Sequence, residues 1–166
     1  MSALPVPAAP NPTAPPGFTL GPFAVDRDGA LAPRDADLAP GFVFTWRDRT
    51  VHARLSGAPA GTTNARDGAL ALELTVGRVP SSALAETASQ RARSLALLRS
   101  LPPLLPAGWR MRLLADHRIQ LRSDTPLTLP VTATALITQL TRFLLALSPY
   151  LDLLDEGGVA SGKAKL

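Results

Sequence analysis

The sequence predicts an α+β fold, a twisted antiparallel sheet with two or three helices packed on one face. Alternation of apolar and polar residues recurs in short runs bounded by turn residues, notably at 42–55, 69–76 and 109–122. The period changes to that of a helix after Val79 and again after Val131. The chain has 166 residues, 46% of them hydrophobic and 18% charged, which suits one domain with a real core. Aromatics make up 5%, so that core is aliphatic.

Residues 1–17 hold six prolines and read as a disordered, solvated tail. A single α+β domain is expected over 18–156, with a flexible C-terminal tail at 157–166. In "FAVDRDGAL" a turn at Arg27-Asp28-Gly29 places Val25 opposite Leu31. In "FVFTWRDRTVHARL" a loop at Asp48-Arg49 pairs Trp46 with Val51, Phe44 with Ala53 and Phe42 with Leu55, all on one face. The other face then carries Val43, Thr45, Arg47, Thr50, His52 and Arg54. The next strand turns Leu70, Leu72, Leu74 and Val76 inward and Glu73 and Thr75 outward, with Glu73 expected to pair with an arginine.

A serine at 81 or 82 is expected to cap a helix that reaches Leu101 and stops at Pro102-Pro103. Its inward stripe reads Leu84, Ala88, Ala92, Leu95 and Leu98, with Gln90, Arg91 and Arg93 outward. In "WRMRLLADHRIQLR" a loop at Ala115-Asp116-His117 pairs Leu113 with Ile119 and Met111 with Leu121, with Trp109 on the same side. A long helix follows, on which Leu136, Ile137, Leu140, Phe143, Leu144, Leu147, Leu151 and Leu154 keep helical spacing. Pro149 marks either a kink or the first turn of a second helix.

Function is less legible. Without cysteine there are no disulfides, thiolate metal sites or cysteine nucleophiles. His52 and His117 fall in a strand and a turn with no third ligand at metal spacing, so no metal and no cofactor are expected. Asp26, Asp28, Asp48, Asp67 and Asp116 sit in turns for backbone reasons, and "GGVASGKAKL" lacks the hydroxyl and the helix that a phosphate loop requires. The reading is therefore of a protein that is not an enzyme, with no catalytic residues. No run of 18 apolar residues exists, and the N-terminus lacks the basic and apolar regions of a signal peptide. A cytoplasmic protein without membrane contact is expected. Abundant alanine and proline, with fifteen arginines to two lysines, fit a GC-rich, bacterial coding bias.

The formal charge is +4, and six arginines (Arg47, Arg54, Arg110, Arg112, Arg118 and Arg122) fall on the outward side of the two larger hairpins. In the second hairpin Arg110 stands opposite Arg122, a mild repulsion that Asp116 and Asp124 can relieve. This face reads first as the solvated side of a sheet. It could also grip a polyanion non-specifically or dock an acidic protein segment. Nucleic acid is the weaker alternative, because Phe42, Phe44, Trp46 and Trp109 fall on the buried side and leave no base-stacking residue.

The stretch "RIQLRSDTPLTLPVTATALITQLTRFLLALSPYLDLL" resembles the ending of class I type III secretion chaperones, a strand, a short apolar link and a long helix whose last turns carry an aromatic and leucines. The resemblance covers about residues 69–154 and is one of pattern. That family usually begins with a helix and is typically acidic; this chain does neither. The resemblance implies a homodimer that holds an extended, non-globular protein segment. A feature of the residues points the same way. In "FLLALSPYLDLL" the helix is apolar nearly all round, so Phe143, Leu145, Tyr150 and Leu153 are expected to form a dimer or partner surface, unless an N-terminal segment with Phe18 and Phe23 covers them. The expected function is a non-enzymatic protein-interaction module.

Overall fold

The structure is a computed structural model, and residues 18–34, 40–57, 67–80 and 85–159 are described. Over the described residues it is α+β, with two α-helices and two antiparallel sheets. Strands β1 (Phe18–Leu20), β2 (Phe23–Val25) and β3 (Leu31–Pro33) form a small sheet in that order. Strands β4 (Gly41–Trp46), β5 (Arg49–Ser56), β6 (Asp67–Arg78), β7 (Trp109–Leu113) and β8 (Arg118–Thr128) form the larger one, in the order β4-β5-β6-β8-β7. Helix α1 spans Ala85–Ser100 and α2 spans Ala133–Glu156. None of the described helices is long and apolar enough to cross a membrane.

Alternation decides which face is packed. Val51, Ala53 and Leu55 of β5, Leu70, Leu72, Leu74 and Val76 of β6, and Ile119 and Leu121 of β8 are all buried. They meet Leu136, Phe143, Leu147, Leu151 and Leu154 from α2 in one core. The small sheet adds Phe23, Val25 and Leu31, with the Phe23 ring 6.2 Å from Phe42. It is joined to the start of α2 by the Leu31 amide, which donates to Val131, and by Gly29, whose carbonyl accepts from Ala133. It is therefore anchored at the N-terminal end of α2; the Phe18 side chain lies outside the described residues.

Two of the expected hairpins form as read. Val25 pairs with Leu31, and Gly29 takes the left-handed φ of 78° while the Asp26 carboxylate accepts from the amides of Asp28 and Ala30. In the β7–β8 hairpin, Leu113 pairs with Ile119 and Met111 with Leu121, around a loop whose His117 has φ 64°.

The β4–β5 hairpin differs. Its loop is Arg47-Asp48, both at positive φ, so Trp46 pairs with Arg49, Phe44 with Val51 and Phe42 with Ala53. The inward face survives because the slip is by two residues along one strand, which preserves side-chain parity. The slip brings Arg49 inward, and Trp46, opposite it on the same face, stays 36% exposed at the end of the edge strand.

Helix α1 also departs in part from its expected phase. Leu95 and Leu98 pack against the core as expected, but Ala88 and Ala92 are exposed, whereas Ser94 is 0% exposed and Leu101, just past the helix end, is 1%. The Ser94 hydroxyl lies 3.0 Å from the carbonyls of Gln90 and Gly157, and the Gln90 amide donates to Gly158. Arg91, read as outward, donates to the Pro80 carbonyl. Leu84 and the capping serine lie outside the described residues. Glycine at 157 permits this close approach, since a Cβ there would fall 2.3 Å from the Leu97 side chain. Residues 157–159, read as the start of a tail, close α2 instead, and Val159 is buried. Helix α2 begins at a Thr132 cap and runs through Pro149 as one helix.

Candidate interaction surface

The face of the five-stranded sheet away from the helices is open, and the strand register lines its side chains into rows. One row reads Val43, His52, Glu73, Arg122 and Arg110 from β4 to β7. The next holds Thr75, Gln120 and Arg112, and on the other side lie Arg54, Ala71 and Asp124. Glu73, Arg110, Arg112, Gln120 and Arg122 line a shallow depression of about 120 Å³.

Charge is unevenly satisfied across this face. Arg122 donates to both oxygens of Asp124 at 2.9–3.1 Å, a contact that raises its pKa above the ordinary value. Arg118 meets the Asp116 carboxylate at 2.6 Å. That carboxyl titrates below its usual range, chiefly because the Arg118 amide also donates to it. Glu73, expected to pair with an arginine, instead accepts a 2.7 Å hydrogen bond from the Gln120 amide. Arg110 and Arg112 are exposed, and neither makes an ion pair among the described residues. Arg54 is likewise exposed on β5, toward the far side of the sheet.

Arg47 does not belong to this face. It sits in the β4–β5 turn and reaches over α2, donating to Asp152 at 2.6 Å and to the Ser148 carbonyl. The Asp152 contact raises its pKa. The structure thus sets Arg110, Arg112, Arg118 and Arg122 together, places Arg54 apart and removes Arg47.

The apolar residues singled out on α2 also divide. Phe143 is 6% exposed, its ring 4.9 Å from Trp109. Tyr150 is half-buried 6.0 Å from the same indole, with its hydroxyl donating to the Leu104 carbonyl at 2.6 Å. Phe143 belongs to the interior, and Tyr150 packs against it only partly buried. Leu145 and Leu153 are exposed, and Ile137 joins them at 58%.

Sequence reading missed Arg49, the most buried charged group described. Its guanidinium donates to the carbonyls of Val76 and Arg47 and to Asp155 at 2.8 Å. The available signal was a pair of acids, Asp152 and Asp155, three apart at the end of α2 and facing a turn with two arginines.

Strand β7 is a sheet edge, and the bonding pattern fixes which of its backbone groups are free. The Asp124 amide donates to Gly108 and the Leu114 amide to Arg118, which frames the ladder at both ends. Hydrogen-bonded pairs alternate in an antiparallel ladder, so Arg110 and Arg112 turn their backbone toward β8. Met111 and Leu113 turn theirs outward, where no strand lies among the described residues. Comparison with protein-family models, curated proteins and solved structures finds no match to this chain.

Proposed function

We propose that the protein is a non-catalytic interaction module that takes an extended protein segment as an added strand on the edge of β7. The observation that carries this reading is the outward backbone of Met111 and Leu113 on an edge strand. An added strand would exchange main-chain hydrogen bonds there and lay alternate side chains on the two faces of the sheet. Leu113, 46% exposed, offers apolar surface on the inner side, and the resemblance to secretion chaperones also points to an extended partner. Such a module would have no cofactor and would act in the cytoplasm.

The test is a fluorescent peptide of alternating valine and glutamate titrated against the protein by anisotropy. Strand addition uses the amides of every second residue, so N-methylation of one alternate set should abolish binding while the other set is tolerated. Equal loss from both sets, or from neither, would contradict the proposal.

Exposure of Leu145 and Leu153 favours a second reading, a homodimer through α2. Successive α-helical residues turn by about 100°, so Ile137, Leu145 and Leu153 each lie about 80° from the next and do not form one stripe. Such a dimer would draw on Leu145 and Leu153 with whatever flanks them. Light scattering on Leu145→Asp/Leu153→Asp checks it: a halved mass supports the dimer, and an unchanged mass overturns it.

A further inference from the structure

We infer that the segment bound at β7 carries acidic side chains at alternate positions, an acid-x-acid pattern with apolar residues between; this rests on the strand-addition reading. Three observations lead there. Arg110 and Arg112 project from the same face of the edge strand, two residues apart, exposed and without ion pairs among the described residues. The acids of the face stand farther in, Glu73 on β6 and Asp124 on β8, where they engage Gln120 and Arg122. Positive charge is therefore left at the rim, where an incoming strand would lie.

The third observation is register. Two residues of extended chain advance by roughly 7 Å on either strand, so acids at i and i+2 keep step with Arg110 and Arg112, whereas adjacent acids point to opposite faces. Because Arg110 and Arg112 turn their backbone toward β8, residues opposite them fall in non-hydrogen-bonded pairs, in which side chains lie closest. The intervening residues face the Met111 and Leu113 side, which is apolar. The same geometry selects against a second copy of β7 as the occupant, since antiparallel pairing would set the arginines of one copy against those of the other.

The experiment measures, for the wild-type chain, the affinity of four labelled eight-residue peptides: alternating Val-Glu, alternating Val-Gln, alternating Val-Lys, and a Val-Val-Glu-Glu peptide of the same composition as the first. Two exposed ion pairs predict that Val-Glu binds about fivefold to tenfold more tightly than Val-Gln. The reordered peptide should lose most of that gain. Arg110→Gln/Arg112→Gln should erase the difference, and Arg110→Glu/Arg112→Glu should transfer the preference to Val-Lys. If Val-Gln binds as well as Val-Glu, the acidic pattern is wrong while strand addition stands. If no peptide binds, strand addition itself fails. Tighter binding of a twenty-nucleotide single-stranded DNA, falling steeply with salt, would make the arginine pair a phosphate grip and overturn the inference.

Discussion

At the turn of the β4–β5 hairpin two arginines reach onto α2; in the β7–β8 hairpin the arginines stand out in solvent. Arg47 and Arg49 close a seam between a turn and the last turns of a helix, each on its own aspartate. Arg118 and Arg122 are neutralised two residues along their own strand region by Asp116 and Asp124, and Arg110 and Arg112 are left over. A count of basic residues on strands therefore says little about binding. What matters is which guanidinium already has a carboxylate within reach.

The largest effect expected from this contrast is on stability. Arg49→Ala removes the donor for the Val76 carbonyl and for Asp155 from a site where the guanidinium is 4% exposed, and should cost about 2–4 kcal/mol in urea unfolding. Arg47→Ala breaks an ion pair whose two partners are largely in solvent and should cost clearly less than Arg49→Ala in the same assay.

Acid probes the β7–β8 turn. Folding lowers the Asp116 pKa, so its stabilising contribution is complete above the unfolded value near 3.8 and is lost as the pH falls through the folded one. The Asp116 carboxyl should titrate below 3.8 by NMR, and the β7–β8 turn should loosen as that carboxyl takes up its proton. A midpoint at or above 3.8 would remove the aspartate from its assigned role. The smallest effect on the fold is expected at the rim. Arg110→Gln/Arg112→Gln should leave Tm unchanged, and a marked loss would mean that these residues are structural after all.

How much of this was legible in sequence depends on how far apart the deciding residues lie. The β2–β3 and β7–β8 registers follow from local turn chemistry, Asp26 with Gly29 in one and Asp116 in the other. The β4–β5 loop was misplaced because it puts Arg47 and Asp48 at positive φ without a glycine, and the inward turn of Arg49 is held by Asp155, 106 residues away. On helix α1 the expected stripe holds at Leu95 and Leu98 and fails at Ala88 and Ala92 for a similar reason. Its packed side is centred on Ser94, whose burial depends on carbonyls at Gln90 and Gly157. On α2 the apolar surplus was real, but Phe143 and Tyr150 are taken up by Trp109, a contact between elements that no periodicity reveals.

The most direct test of the account is amide hydrogen exchange, read residue by residue by NMR, with and without the Val-Glu peptide. Strand addition predicts that the amides of Met111 and Leu113 become strongly protected, while those of Arg110 and Arg112, already bonded to β8, change little. Unchanged exchange at Met111 and Leu113 in a saturated complex would show that the peptide lies elsewhere and would contradict the β7 edge as the binding site.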